Sequence, residues 1–481
     1  MKLLRPILLT LIVWSSAVYS QLEAQSWPIN SVLSKGQWAE VFTDEDFIYR
    51  LSGADLEQLG LGSPPFESSK LGIWGRQSGA LNEVNASSGE ARDLSPLPIR
   101  VEDGGDGLLG AAEYLYFLGQ SPHRWIIDSI GNRWSRATNP YASRQTYFAT
   151  TTEGGSRIAP YAVQPSSPQT VSRYHHVFWH EMDESNLVGS GRAWFGELLD
   201  FTMSREIDLG LDRLDGQSTA YFVLAAAGRT TSSGPKLELR TGQGFIGSVG
   251  LQAVSGVNGE TYARQIGQSW TQVATGPSWA KANVTLERSA NPAAKAWIDY
   301  LSVQADAPFA YTAGGVQSYR FNPDSQQRQL LSPAAGTWIW RTTASGSSLD
   351  AAQLLPNAAV LEAERAHTVW YIAPAAARKP VLGSKIPLQN LHAMPSVDYV
   401  ILAPEAFKPA AENLASMHRQ TGLKVAVVSV DQAYREFSGG VQDIMGLRNL
   451  LRMLWARGAD STKLRYLLLL GDASYDYKGT L

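Results

Sequence analysis

The residues best placed for chemistry follow the last apolar stretch of the chain. Asp472, Tyr475 and Asp476 stand just after residues 464–470, a leucine-rich run that is closed by a Gly-Asp pair. Such a run is typical of a buried parallel strand whose carboxyl end opens onto a crevice, where open α/β sheets bind their ligands. Asp472 would there either accept hydrogen bonds from a substrate or a loop, or form a turn with local backbone N–H groups. The three residues are therefore candidates for lining a crevice, with a local turn as the alternative, and none of them is assigned a catalytic role.

Three of the seven histidines stand close together and raise the question of a metal site. They are His175, His176 and His180. On a helix, His176 and His180 would share one ion. Their aromatic and β-branched neighbours instead favour a strand, on which residues four apart are about 13 Å apart at roughly 3.3 Å per residue. We expect a strand at a sheet edge, with imidazoles that hydrogen-bond neighbouring backbone, and no metal site.

Other motifs give turns and caps more readily than sites. The Asp-Gly cluster 103–107 lacks the spacing of a calcium-binding EF-hand, so it predicts a turn. Ser438 follows a strand-like stretch and precedes two glycines, which favours a turn, and Asp443 is a suitable N-cap for the helix after it. Residues 403–405 take the place of a glycine-rich phosphate loop after the first strand, which argues against a nucleotide cofactor. The chain contains no cysteine and therefore no thiol nucleophile.

The elements that position these residues change in type along the chain. The 15 Trp, 19 Tyr and 43 Gly favour a β-rich architecture in most of it. After residue 396, apolar strands alternate with apolar residues at helical spacing, a βαβαβ order that requires a parallel sheet. The predicted divisions are small β domains over 25–165, a β-sandwich or jelly-roll-like domain over 166–305, a further β segment over 306–380, a linker over 381–396, and an α/β domain over 397–481.

The first 24 residues predict a secretory signal. Lys2 and Arg5 precede a short apolar stretch and then small residues, so cleavage is expected after Ser20 or after Ala24. No later segment has the length of a transmembrane helix. A net charge of −3 with scattered basic residues gives no basic surface for nucleic acid. We therefore expect an exported protein that is stabilised by core burial, since it has no disulfides.

The last third of the chain resembles the gingipain family of cysteine peptidases. The resemblance rests on the order and spacing of several segments, which include Asp398-Tyr-Val-Ile-Leu402, Tyr434-Arg-Glu-Phe-Ser-Gly-Gly440, Asp443-Ile-Met-Gly-Leu-Arg448 and Gly471-Asp-Ala-Ser-Tyr-Asp-Tyr-Lys478. Upstream segments resemble the amino-terminal region of the PorU-type sortases of the type IX secretion system. These segments include Glu113-Tyr-Leu-Tyr-Phe-Leu-Gly119, His180-Glu-Met-Asp183 and Gly191-Arg-Ala-Trp-Phe-Gly-Glu197.

The resemblance implies a caspase-like α/β domain with a Cys nucleophile and a His base, at the outer membrane surface or outside the cell. Its partners would be exported cargo, from which sortases remove the carboxy-terminal sorting domain, and components of type IX secretion. In that family the Cys and His lie downstream of the Gly-Asp strand, so they are expected beyond Leu481. His418, on a helical stripe, is no substitute for the base.

Two alternatives remain for a chain without the catalytic pair. It is a truncated gene product or fragment, or it is an inactive relative, and in both cases we expect it to lack peptidase activity. A protein of a different class, an exported non-catalytic scaffold whose exposed Trp and Tyr side chains bind glycans or proteins, is also compatible with the composition. The reading frame after Leu481 distinguishes these alternatives.

Overall fold

The protein is described here by a computed structural model. It describes residues 27–85, 92–128, 132–161, 169–189, 193–211, 214–215, 218–273, 279–289, 291–309, 311–322, 328–330, 334–343, 353–355, 360–361, 366–459, 463–474 and 476–479. The predicted signal peptide therefore lies outside the described residues. None of the described helices is both long and apolar enough to cross a membrane.

An eight-stranded sheet organises the amino-terminal unit. Its apolar residues alternate along the strands and bury one face, on which Val41, Leu51, Ile73, Phe117 and Tyr147 share a core. The elements of this region are β1 (Trp38–Thr43), β2 (Phe47–Ser52), α1 (Gly53–Gln58), β3 (Phe66–Glu67), β4 (Gly72–Gly75), β5 (Ser95–Glu102), β6 (Leu108–Leu109), β7 (Tyr114–Gly119), β8 (Arg124–Asp128), β9 (Arg133–Ala137), β10 (Gln145–Thr150) and β11 (Ser156–Arg157). The sheet runs β2-β7-β5-β4-β10-β1, with β11 beside β5; β3 pairs with β6, and β8 pairs with β9.

The middle of the chain adds many more strands. They are β12 (Ala159–Pro160), β13 (Gln169–Thr170), β14 (Arg173–Glu181), β15 (Leu198–Leu199), β16 (Ser204–Leu211), β17 (Thr219–Arg229), β18 (Lys236–Thr241), β19 (Gly244–Gly250), β20 (Arg264–Val273), β21 (Trp279–Glu287), β22 (Lys295–Pro308), β23 (Val316–Phe321), β24 (Arg328–Gln329), β25 (Trp338–Thr343), β26 (Gln353–Leu355), β27 (Val360–Leu361) and β28 (His367–Ile372). A ten-stranded sheet runs β12-β26-β25-β28-β23-β14-β22-β17-β20, with β15 beside β22.

A second sheet packs against part of this large sheet. Its order is β16-β21-β18-β19, and Leu209, Leu239 and Trp279 from it share a core with Phe222 and Leu301 of the ten-stranded sheet. Two sheets with one common core form a β-sandwich. The predicted further β segment, 306–380, supplies strands to the same ten-stranded sheet, because β23 pairs with β14. The exact domain boundaries stay a prediction.

The segment predicted as a linker returns to the amino-terminal sheet. Strand β29 (Val381–Ile386) pairs antiparallel with β1 and completes the eight-stranded sheet. Its carboxyl end places Ile386 opposite Trp38, and both side chains are buried. The linker prediction is therefore wrong for residues 381–386. Prolines at 374 and 380 indicated a break in the chain, but they say nothing about which strand edge lies within reach after the break.

The carboxy-terminal region has the predicted βαβαβ order. Its elements are β30 (Tyr399–Ala403), α2 (Lys408–Gln420), β31 (Val425–Ser429), α3 (Val430–Phe437), α4 (Ile444–Arg457) and β32 (Tyr466–Leu469). All three strands are parallel, in the order β31-β30-β32. Successive residues of β30 face opposite cores: Ile401 packs with the α2 side, and Val400 packs with the α3 and α4 side. These elements form a layered α/β unit, as the sequence predicts.

Two local expectations in this region are wrong. The stretch 434–437, which had a strand-like appearance, belongs to helix α3, because Ala433, Glu436 and Phe437 lie on one buried helical face. Strand β32 was expected to be buried, yet Tyr466, Leu467 and Leu469 are 50%, 45% and 64% exposed. Among the described strands, only β30 pairs with β32. Its side chains are therefore exposed because β32 is an edge strand in the described part of the sheet.

Candidate functional site

The carboxyl ends of the three parallel strands lie along one edge of the α/β sheet, and the loop after β32 starts there. Asp472 is exposed, and its Oδ1 accepts a hydrogen bond from the backbone N–H of the next residue, Ala473, at 2.8 Å. Asp476 is partly buried, and its backbone N–H donates to Ser474 Oγ at 3.0 Å. Tyr475 lies outside the described residues. These contacts build a local turn, and the assignment of the three residues to a crevice stays a prediction.

The loop after β32 is held by residues from the β-rich part of the chain. Lys478 Nζ lies 2.5 Å from Asp183 Oδ2, and the two side chains are only 10% and 24% exposed. The ring of Tyr477 packs against that of Tyr141 at a centroid distance of 5.2 Å. Residues far apart in the chain thus fix this loop, and the sequence offered no signal for either pair.

Burial and neighbouring charges shift the pKa values of two titratable groups in this region, His123 and Asp299. Burial, together with Arg136 and Lys478, lowers the pKa of His123 to about 3, so this histidine is neutral. Its Nδ1 accepts a hydrogen bond from the backbone N–H of Asn139 at 3.0 Å. Burial raises the pKa of Asp299 to about 6, and Glu181 and Asp183 add to the rise. Lys478 and Asp183 therefore belong to a partly buried cluster of charged groups of both signs.

A pocket of about 220 Å³ opens beside the same loop. We call it the Tyr141–Tyr477 pocket. Four stretches of chain form its wall: the end of β1, the segment before and within β10, the turn after α3, and the loop after β32. Its lining residues are Phe42, Tyr141, Ala142, Ser143, Arg144, Thr146, Gly440, Val441, Gln442, Tyr477 and Lys478.

The turn after α3 is the one that Ser438 and its two glycines predicted. Gly439 and Gly440 have φ angles of 69° and 83°, which residues with a side chain rarely adopt. A Cβ on Gly440 would also lie 2.7 Å from Thr146 Cγ2. Ser438 is buried, and its Oγ donates to the carbonyl of Val441 at 2.5 Å. The serine therefore stabilises the turn, and the glycines let it approach β10.

Asp443 caps helix α4 as predicted and also reaches the amino-terminal unit. Its Oδ1 accepts from the backbone N–H of Met445 at 2.8 Å. Its Oδ2 accepts from the backbone N–H of Leu81 at 2.6 Å, 362 positions away in sequence. Burial raises the pKa of Asp443 above its ordinary value, although both hydrogen bonds act in the opposite direction. The carboxylate thus joins the α/β region to the amino-terminal unit.

A fully buried ion pair lies on the α3 side of the sheet. His392 Nδ1 is 2.6 Å from Glu436 Oε2, both side chains are 0% exposed, and His392 Nε2 is 2.9 Å from the carbonyl oxygen of Arg92. Both ring nitrogens therefore face hydrogen-bond acceptors, one on α3 and one on the segment before β5. Glu436 also accepts backbone hydrogen bonds from Leu391 and His392. Sequence reasoning missed this network, since nothing near residue 392 indicated a partner on α3.

Trp27, the first residue that the structure describes, also packs on the α3 side of the sheet. Trp27 is 6% exposed, and its ring lies 5.8 Å from that of Phe437. The guanidinium of Arg92 lies 4.5 Å from the centroid of the Trp27 ring. Arg457 donates to the carbonyl of Pro28 at 2.6 Å. The amino-terminal segment thus enters the core of the α/β region.

The histidine cluster forms no metal site within the described residues, where no group of three or more ligand side chains has suitable geometry. It lies on a strand, β14, as predicted, but the edge position was wrong because β14 pairs with β22 on one side and with β23 on the other. Most hydrogen-bond partners of the three histidines are side chains and not backbone groups. His180 Nε2 lies 2.7 Å from Glu197 Oε1, and this bond lowers the pKa of Glu197. His175 Nδ1 lies 3.1 Å from Asp306.

Comparisons with known proteins place these elements in a wider context. Residues 392–481 match peptidase family C25. A crystal structure of dimeric latent PorU from Porphyromonas gingivalis has a TM-score of 0.78 and 21% identity, and the match covers 97% of this chain and 44% of that one. The chain thus spans less than half the length of that protein. At this identity the likeness shows a common fold.

Two further solved structures match the chain only weakly. BuGH86E322Q in complex with neoagarooctaose has a TM-score of 0.15 and 8% identity, over 56% of this chain and 32% of that one. The infectious bursal disease virus VP2 subviral particle also has a TM-score of 0.15, with 9% identity, over 84% of this chain and 93% of that one. No curated protein matches the chain. Residues 392–481 therefore match the gingipain (C25) family, on a chain with the fold of PorU.

Proposed function

We propose that the chain is the amino-terminal part of an exported, gingipain-like cysteine peptidase of the sortase type, which removes carboxy-terminal sorting domains from type IX secretion cargo. The observation that carries this proposal is the C25 match at residues 392–481 on a chain that shares the fold of PorU over 97% of its length. Export and a place at the outer membrane surface belong to the same proposal and rest on the resemblance and on the signal-like first 24 residues.

The chemistry of such an enzyme needs a thiolate and an imidazole. The thiolate attacks the scissile carbonyl to form an acyl-enzyme and releases the sorting domain as an amine, and water or another amine then takes the acyl group. These 481 residues contain no cysteine and span 44% of PorU. We therefore place the Cys and His on residues outside this stretch and expect the stretch alone to be inactive.

The described residues would then serve as scaffold for that centre. Parallel strands β30, β31 and β32 bring their carboxyl ends to one edge, where α/β enzymes place catalytic loops. The loop with Asp472 and Asp476 starts at that edge, and Lys478 ties it to Asp183. The exposed outer side of β32 suits the addition of further strands of the same domain.

Cargo processing in the source cell tests the proposal. Deletion of the gene that encodes this chain should leave exported cargo with uncleaved carboxy-terminal sorting domains, as measured by intact mass. The complete gene should restore cleavage, and a copy in which the encoded nucleophile is Ala should not. Normal cleavage in the deletion strain would refute the sortase function.

Purified residues 25–481 provide the second measurement. We expect no cleavage of a sorting-domain substrate, with or without a thiol-directed inhibitor, because no thiol is present. Cleavage that a thiol reagent abolishes would contradict the proposed location of the nucleophile.

An exported scaffold that binds glycans through aromatic side chains finds little support. Trp27, Trp38, Trp279 and Trp340 are buried in cores, and among the described tryptophans only Trp455, at 42%, counts as exposed. A sugar platform needs aromatic faces open to solvent. We therefore propose no second function.

A further inference from the structure

We propose that the Tyr141–Tyr477 pocket binds a carboxylate carried on a short peptide that has a neighbouring apolar side chain. The inference needs no catalytic residue and therefore goes beyond the proposed function. It rests on the charge of the lining, on its aromatic walls and on the size of the pocket.

The lining carries positive charge without a carboxylate. Arg144 and Lys478 are its two cations, and none of its eleven residues is Asp or Glu. Lys478 is already paired with Asp183 at 2.5 Å. Arg144 is exposed and makes no ion pair with any residue in the part of the chain that the structure describes. Its planar guanidinium is suited to a two-point hydrogen bond with a carboxylate.

The walls beside Arg144 are aromatic. Phe42, Tyr141 and Tyr477 all face the pocket, and the two tyrosine rings are 5.2 Å apart. Ser143 and Gln442 add exposed polar side chains at the rim. Aromatic rings gain binding free energy from apolar groups laid against them. A bare inorganic anion would use the guanidinium but leave these walls in contact with water.

The size favours part of a peptide over a whole small molecule. A volume of about 220 Å³ is below the roughly 300–1,000 Å³ of pockets that enclose drug-sized ligands. The pocket therefore accommodates a side chain or two, while the rest of an extended ligand remains in solvent. Four separate stretches of chain meet there, two from the amino-terminal unit and two from the α/β region, so the binding site exists only while these two parts are docked on each other.

Calorimetric titration of the purified chain with two peptides tests the proposal. The probe is acetyl-Phe-Asp-Ala-amide, and its counterpart with Asn removes only the charge. We expect the Asp peptide to bind at least tenfold more tightly, and added salt to weaken this preference. R144Q should abolish the preference, and R144K should retain part of it. R205Q, which changes an exposed arginine on β16, is the matched control and should behave as the wild type.

The aromatic wall has its own variant and competitor. Y477A should weaken both peptides alike, because it removes apolar contact and leaves Arg144 in place. Acetate should compete poorly with the Asp peptide. The proposal is wrong if the two peptides bind equally, if neither binds at millimolar concentration, if R144Q keeps the preference for Asp, or if acetate competes as well as the peptide.

Discussion

The two boundaries of the α/β region differ in how they meet the rest of the protein. On the α3 side, Trp27 is 6% exposed and the side chains of His392 and Glu436 are 0% exposed. On the β32 side, Tyr466 and Leu469 remain 50% and 64% exposed. The first boundary resembles the interior of one domain, whereas the second is an open sheet edge. The amino-terminal segment is thus part of the α/β core, and the β32 edge is where further structure can add.

The largest loss of stability is expected from W27A, which removes a buried side chain from the boundary on the α3 side. Replacement of a buried Trp by Ala typically costs about 3–5 kcal/mol, because it removes packing and leaves a cavity. Hydrogen exchange of residues 399–457 in urea should show this loss in the α/β region. W455A, at an exposed position of α4, is the control and should change exchange little. Equal protection in W27A and wild type would show that the amino-terminal segment is not part of this core.

E436Q tests the buried ion pair on the same boundary. It removes the carboxylate that His392 Nδ1 faces, and breakage of a buried pair costs about 3 kcal/mol or more. The urea midpoint of the α/β region is the readout. The exposed pair of Glu412 and Arg419 offers a control, E412Q, for which a loss below about 1 kcal/mol is expected. Similar losses in both variants would mean that burial does not set the strength of the pair.

The carboxylate of Asp443 accepts two hydrogen bonds, and two variants distinguish their contributions to stability. D443N keeps a cap for Met445 but loses the acceptor for Leu81, so we expect a loss of about 1 kcal/mol. D443A removes both bonds and should cost about 2 kcal/mol. Thermal denaturation with hydrogen exchange at Leu81 measures both. An unchanged exchange rate at Leu81 in D443N would argue against the contact between the two units.

The smallest effect on stability is expected at the open edge. L469K changes a side chain that is 64% exposed, so the free energy of unfolding should shift by less than about 0.5 kcal/mol. A lysine on an edge strand opposes pairing with other chains. Light scattering should therefore show less self-association than in wild type. A large loss of stability would mean that β32 is covered.

Local patterns were sufficient for much of this fold. Helical spacing and apolar runs predicted β30, α2, β31 and α4, and the strand around His176 followed from its β-branched and aromatic neighbours. The same holds for the cap at Asp443 and for the turn at Gly439, which depend on residues next to each other in the chain. The candidate site was predicted less well: the sequence left a crevice and a local turn open for Asp472, and it did not indicate the contacts of the residues that follow.

Local sequence patterns specify the order of strands and helices, because each element depends on a period of two or 3.6 residues within a short window. The pairing of distant elements, in contrast, depends on the folded chain. Lys478 and Asp183 lie 295 positions apart, and β29 completes a sheet that begins with β1. Glu436 finds His392 through the packing of α3, where burial makes an unpaired charge costly. Such partners are selected by burial and distance in the folded chain, and neither is encoded in local spacing.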